Sequence, residues 1–433
     1  MTDLIAARSQ MAMALAFHIV FAAIGMAMPL MMAVAEWHWL KTGCHSYLAL
    51  AQRWAKGTAV LFAVGAVSGT VLSFELGLLW PTFMEWAGPV IGPLFALEGL
   101  AFFTEAVFLG IYLYGWSKLS PWLHLGAGGI VALSGLASAM FVVAANAWMN
   151  TPAGFDMDMG HPIRITLWDV MWNPHAFHEI MHMILAAFAA TGFLVAGIHA
   201  WFLLRDSQSA FHHQALGIAL VCGGIPALLQ PISGDLLAKA VADHQPAKLA
   251  AMEALFETQA GAPFVVAGVP DETTRTIPYS LTIPYGLSLL LHQDPQAVVQ
   301  GLDTIPDSDW PPVTIVHMAF QLMVAAGLIM SFIALWSGWR WWKGRSFSDN
   351  RRLLQALVLT APLGFIAVEA GWVVTEVGRQ PWIIYGIMRT SEAVTPMPNL
   401  WLPMSLFGVL YLVLSGVVIW SLGRHVAATA ERI

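Results

Sequence analysis

The stretch Gly371–Trp382, GWVVTEVGRQPW, closes an apolar run that begins just after the paired arginines 351 and 352. It carries Glu376 and Arg379 one turn apart and then meets Pro381, which cannot continue a helix. A soluble protein could turn such a pair to water. This chain has few wet faces: of its 433 residues 58% are hydrophobic and 10% charged, with 20 Trp, 23 Phe and 22 Met. That balance lies outside the globular range and predicts an all-α polytopic membrane protein.

Nearly charge-free runs long enough to cross a bilayer recur along the sequence. They predict nine spans, roughly 11–36, 57–80, 90–116, 122–147, 179–204, 213–232, 313–340, 353–377 and 400–423. The organisation expected is helices 1–6 over 1–232, a large non-membrane segment over 233–312, and helices 7–9 over 313–433. The start of that segment, DLLAKAVADHQPAKLAAMEALFET, reads as an amphipathic helix broken at Pro246, followed by an irregular Pro-rich stretch. The first ten residues lack a positive leader region, so no cleavable signal peptide is expected. Cys44 and Cys222 form neither a redox pair nor a metal cage.

Counting Lys and Arg between the spans gives the expected orientation. With the amino terminus outside, the inner segments hold 12 basic residues, Arg424 and Arg432 among them, and the outer ones 7. The carboxyl terminus is then cytoplasmic. The net charge of −7 argues against nucleic acid as a partner. No internal repeat supports an inverted-repeat transporter.

Ionisable side chains inside spans are costly and mark function by default. Here they are His18, Glu75, Glu98, Glu105, His182, His199, Glu369 and Glu376. Most gather toward the outer side, whereas a transporter centres its site at the midplane. Glu98 and Glu105, seven apart, share a helix face, and so do Glu369, Trp372, Glu376 and Arg379. The bland alternative for any one carboxylate is a protonated or paired acid inside the bundle.

Two histidine readings compete. Residues 178–182, HEIMH, match the zinc-protease helix H-E-x-x-H, expected by chance roughly 0.02 times in such a composition. An intramembrane zinc metalloprotease would need a third ligand, for which Asp235 is the best placed. The other reading takes His182 alone as an axial haem ligand, with a partner such as Met323 from another helix.

At this point the sequence resembles subunit I of the cytochrome bd quinol oxidases along nearly its whole length. The motifs are ARSQMAMALAFHIVF (7–21), GPLFALEGLAFFTEAVFLGIYLYGW (92–116), NAWMNTPAG (146–154), QPAKLAAMEA (245–254), FQLMVAAG (320–327) and the opening stretch. The resemblance implies a terminal respiratory oxidase, electrogenic without pumping, that oxidises ubiquinol or menaquinol outside and reduces O2 to water. It implies three haems. His182 and Met323 would ligate a low-spin b haem; His18 and Glu376 would be axial ligands of the two high-spin haems, in an order left open. Glu98 and Glu105 would serve the haem site and a proton route, Lys248 and Glu253 quinol oxidation, and Arg379 a haem propionate or Glu376 itself. Trp372 and Gln321 fall in the same haem surroundings. Gln321 departs from the pattern, since well-known members carry arginine there. The loop over 233–312 is of the short type, as in cyanide-insensitive oxidases, and the oxygen site could hold haem d or a substituting b haem. Subunit II, a small single-span subunit and the bacterial inner membrane complete the expected surroundings.

Overall fold

A computed structural model describes residues 2–347 and 349–430. Arg432, counted above among the inner charges, lies outside the described residues. The chain order is α1 (Asp3–Thr42), α2 (His45–Leu79), α3 (Pro81–Tyr114), α4 (Pro121–Asn150), α5 (Leu167–Met171), α6 (Ala176–Leu203), α7 (Ala210–His244) and α8 (Pro246–Met252). It continues with α9 (Gly286–His292), α10 (Val313–Trp342), α11 (Arg351–Thr360), α12 (Leu363–Val377), α13 (Thr390–Ala393) and α14 (Trp401–Ala430). Among the described residues nine helical segments are long and apolar enough to cross a membrane, counting α11 and α12 as one. All nine expected spans are there.

The chemistry of each helix is local. Thr2 caps α1 by accepting from the Ile5 amide at 3.3 Å, and Asp3 in the first turn complements the helix dipole. Pro81 and Pro121 sit in the first turns of α3 and α4, where a missing amide costs nothing. Helices α6 and α7 touch through glycine: a Cβ on Gly192 would lie 2.4 Å from the Gly223 Cα. In lipid, close packing of small residues replaces the hydrophobic drive available in water. Either glycine changed to alanine should splay α6 from α7, reducing yield of folded protein in detergent.

Several helices run past the expected edges, α2 beginning at His45 rather than 57 and α3 at Pro81 rather than 90, and two further differences bear on the site. Helix α7 does not stop at 232 but runs twelve residues further, to His244, so the expected amphipathic helix is the extension of a span. The break falls where expected, at Gln245–Pro246, and α8 follows. The stretch after it is not wholly irregular. It holds small antiparallel pairings, Phe264–Ala267 with Leu281–Ile283 and Gln259–Ala260 with Val298–Val299, together with α9. These pack with α8 into a small core of their own around Leu249, Phe256, Leu287 and Leu302, continuous with Val313, Val316 and Val374 of the bundle. That core presses α8 onto the ends of α10 and α12.

Candidate functional site

The amino ends of α1, α3, α6 and α10 and the carboxyl ends of α2, α4, α7 and α12 meet at one end of the bundle. There α4, α6, α7, α10 and α12, together with α8 and α9, line a partly open cavity of about 340 Å³. His182, Met323, Trp372, Lys248 and Glu253 all line it. Residues chosen for two roles thus share one chamber of ligand-binding size.

His182 is held in one tautomer. Its Nδ1 lies 2.9 Å from Ser233 Oγ, and that hydroxyl donates to the Gln230 carbonyl at 3.0 Å. The hydroxyl therefore accepts from Nδ1–H, leaving a bare lone pair on Nε2. The Gln230 amide, 3.0 Å away, donates to that lone pair. Met323 projects from α10 against α12, its Sδ 3.1 Å from where a Cβ on Gly371 would lie. The Trp372 indole N–H and Glu369 Oε1, both from α12, are buried without a partner among the described residues.

Gln321 does not line this chamber. Its amide donates to His317 Nε2 at 2.7 Å, and His317 Nδ1 donates to the Met252 carbonyl at 2.7 Å. The residue at the departure from the family pattern therefore pins α10 to the end of α8, one residue before Glu253.

Glu253 is 4% exposed and its Oε2 has no partner among the described residues. Burial pushes its carboxyl up to about 8. Lys248 is 3% exposed and donates to Asn150 Oδ1 at 2.7 Å. Burial lowers its ammonium to about 7, against the pull of Glu179. His175, also buried, has both ring nitrogens without a partner among the described residues. Burial, with Lys248 nearby, lowers its pKa to about 3, so the ring is neutral.

Glu376 and Arg379 pair where α12 ends. Helix α12 ends at Val377, and a Cβ at Gly378 would lie 2.2 Å from the Val374 carbonyl oxygen and 3.0 Å from Lys248 Cγ. Glu376 Oε2 accepts from Arg379 at 2.6 Å and Oε1 from Asn146 Nδ2 at 2.5 Å. Asn146 passes the contact on to Asn150, whose amide bonds Glu179 at 3.1 Å and whose carbonyl oxygen holds Lys248. Two asparagines one turn apart on α4 thus bridge the Lys248 and Glu376 positions. Arg379 is 2% exposed, yet its Nε and Nη1 have no partner among the described residues. A buried guanidinium with spare donors suits a second carboxylate.

The remaining acids and His18 lie among α1, α2, α3 and α4. His18 Nδ1 is 3.0 Å from Ser68 Oγ, and its Cε1 lies 2.9 Å from where a Cβ on Gly69 would be. Glu75 accepts from Gln10 at 2.9 Å and Glu98 from Ser138 at 3.2 Å. Glu105 is buried, its Oε1 facing Gly135 on α4.

Among the described residues the HEIMH segment does not gather a zinc ligand set. His178 is not among the residues lining the chamber, Glu179 turns to Asn150, and Asp235 is paired with Lys239 at 2.6 Å. Among the described residues no group of three or more His, Cys, Asp and Glu could hold a metal ion. The protease reading is not supported.

Sequence reasoning missed Asn146, Asn150, Gln230, Ser233 and His317. Uncharged polar side chains in apolar helices stand out little, although Asn146 and Asn150 fall inside the quoted NAWMNTPAG motif.

Fold and chamber together define a helical membrane protein with an imidazole, a thioether and buried carboxylates around one ligand-sized space. Residues 6–430 match the family described as Cytochrome bd terminal oxidase subunit I, and the chain belongs to that family. A Bacillus subtilis chain described as a candidate cytochrome bd menaquinol oxidase subunit I is 36% identical, over 98% of this chain and 96% of that one. The Bacillus subtilis cytochrome bd ubiquinol oxidase subunit 1 is 30% identical, over 100% of this chain and 95% of that one. A chain in the structure of bd oxidase from Geobacillus thermodenitrificans superposes with a TM-score of 0.92 at 38% identity, covering 98% of each.

Proposed function

We propose that this chain is the quinol-oxidising, haem-bearing subunit of a membrane-bound quinol:O2 oxidoreductase. The observation that carries this reading is the shared chamber: His182 and Met323 reach the same space as Lys248 and Glu253. The residues fit haem. His182 offers a bare Nε2 once the Gln230 amide swings aside, Met323 offers a thioether, and Arg379 has two spare donors for a propionate. Three haems are proposed; His18 and Glu376 would hold the high-spin pair, and the chemistry such groups would supply when bound is one-electron transfer toward O2.

The protein's own task is to bind quinol, move protons and keep water out. Quinol oxidation releases two protons, so an acceptor must stand at the ring hydroxyl. Glu253 does so as a carboxylate, and Lys248 orients the ring oxygen from the other side. At pH 7 most of the Glu253 carboxyl is protonated, and its capacity to accept grows as pH rises through about 8. The wild-type rate of quinol oxidation should therefore rise between pH 6.5 and 8.5. In Glu253→Gln turnover with quinol should fall roughly a hundredfold and lose that rise, while oxygen consumption from an artificial donor bypassing the chamber is spared. Equal loss with both donors would argue against a local quinol role.

Glu98 and Glu105 then conduct protons toward the high-spin site from the inner face. Glu105→Gln keeps shape and hydrogen bonding but cannot titrate. Haem content should survive and turnover should fall roughly tenfold or more; wild-type turnover would make Glu105 a packed, protonated acid. Quinol is proposed to be oxidised outside, with the amino terminus there and the carboxyl terminus cytoplasmic, in the bacterial inner membrane. Subunit II and a small single-span subunit are the proposed partners. The quinol is proposed to be ubiquinol or menaquinol, the substrates named for the two relatives.

A further inference from the structure

At the opposite end of the bundle from the chamber, α1, α3 and α4 bury a second titratable cluster. Glu36 Oε1 lies 2.7 Å from His124 Nδ1, and His124 Nε2 lies 2.8 Å from the Tyr112 carbonyl. Nε2 must donate to that carbonyl. The ring therefore either carries both protons opposite a carboxylate or presents Nδ1 as acceptor to a protonated Glu36. Glu36 and Tyr112 are 0% exposed and His124 is 2% exposed. Glu36 Oε2 and the Tyr112 hydroxyl have no partner among the described residues. Buried ionisable groups in a membrane span are expensive, and unused hydrogen-bonding atoms on them add to the cost. Nothing in the quinol chamber or the haem-ligand set calls for this cluster.

Its position is informative. Glu98, Glu105 and Tyr112 recur every seven residues along α3, so they form a column on one face. The opposing α4 keeps step with glycine: a Cβ on Gly135 would lie 3.4 Å from Glu105 Oε1, and one on Gly128 would lie 2.7 Å from the Tyr112 ring. Gly25 of α1 closes the seam, its carbonyl 3.4 Å from the same Gly135 position. Beside the cluster, α2 and α3 border a cavity of about 220 Å³ lined by Gln52, Lys56 and Trp116. The Trp116 ring lies 4.0 Å from the His124 ring and 5.2 Å from that of Tyr112. The polar column thus ends next to a pocket bearing a lysine and an amide.

We propose that Glu36, His124 and Tyr112 form the inner mouth of the proton route whose inner carboxylate is Glu105. This rests on the proposed role of Glu105. A proton from water in the Lys56 pocket binds His124 or Glu36, and the pair passes one proton on from Glu36 Oε2. The Tyr112 hydroxyl accepts it and releases its own toward Glu105, so each O–H bond formed is matched by one broken. The span from Tyr112 to Glu105, about 10 Å along α3, needs a transient file of water between them. Glu36 offsets the charge on His124 when the ring carries both protons.

The test uses the assembled oxidase in proteoliposomes, with Glu105→Gln as the reference. In Glu36→Gln, steady-state O2 consumption should fall roughly tenfold or more. Its haem spectrum and the rate at which quinol reduces haem without O2 should stay at wild-type values. Formate, a small diffusible acid, should restore part of the turnover in Glu36→Gln and none in Glu105→Gln. If Glu36→Gln fails to assemble, Tyr112→Phe decides: slow turnover with intact haem supports the mouth and wild-type turnover overturns it. Wild-type turnover in Glu36→Gln beside a slow Glu105→Gln overturns the inference alone. Wild-type turnover in both overturns the proton route itself.

Discussion

Glu376→Ala should lose a high-spin haem and O2 reduction, while the low-spin haem at His182 stays. The substitution removes more than one ligand. Arg379 is buried against Glu376 at 2.6 Å, with two further donors unpaired among the described residues. Asn146 would also lose its acceptor. Breaking a buried pair from one side costs about 3–5 kcal/mol, because the remaining charge has no partner. Haem retention and local stability should therefore fail together. Arg379→Ala should be milder for haem retention, since the carboxylate survives and Asn146 still holds it. Haem stoichiometry per polypeptide in the purified variants separates the two cases. A full complement with normal high-spin bands in Glu376→Ala would show that this glutamate is no ligand.

His182→Ala should abolish the low-spin signal in a reduced-minus-oxidised spectrum and stop electron entry from quinol. Of the two imidazoles in HEIMH, only His182 has Nδ1 anchored to Ser233 and Nε2 aimed at the Gln230 amide beside the chamber. Ser233→Ala should leave the haem in place with a shifted midpoint potential, because Nδ1 loses the acceptor that makes the ring a stronger donor. Should His182→Ala retain the signal while His178→Ala loses it, the wrong imidazole has been assigned.

The fold was legible because hydropathy has a length scale. Apolar runs matching the bilayer gave nine spans, and bilayer thickness leaves little freedom in reading them. The extension of α7 was not legible in the same way, since Ser233 to His244 is polar enough to read as a separate surface helix. Its reason lies in tertiary structure: Ser233 and Gly234 must stay helical to reach His182, whose Cε1 lies 3.4 Å from where a Cβ on Gly234 would be. The small pairings between 259 and 299 were missed because two- to four-residue strands carry too little alternation to show.

The charged half of the candidate site was visible for a similar reason. A carboxylate or an arginine in an apolar run is conspicuous, so Glu376, Arg379, Glu98 and Glu105 drew notice on cost alone. Met323 did not: a methionine in such a helix looks like packing, and only the resemblance singled it out. Glu36 and His124 escaped because each sits near a span edge, where charge is cheap. Only the packing of α1, α3 and α4 shows them buried together.

One chamber is proposed to bring quinol to a haem held by His182. The direct measurement is the visible spectrum of the purified oxidase before and after addition of quinol without O2. The isolated protein should show haem absorption, with low-spin b-type bands that quinol reduces within one turnover in wild type and roughly a hundredfold more slowly in Glu253→Gln. A protein without haem absorption, or one whose low-spin bands respond to quinol equally in both, would contradict that role of the chamber.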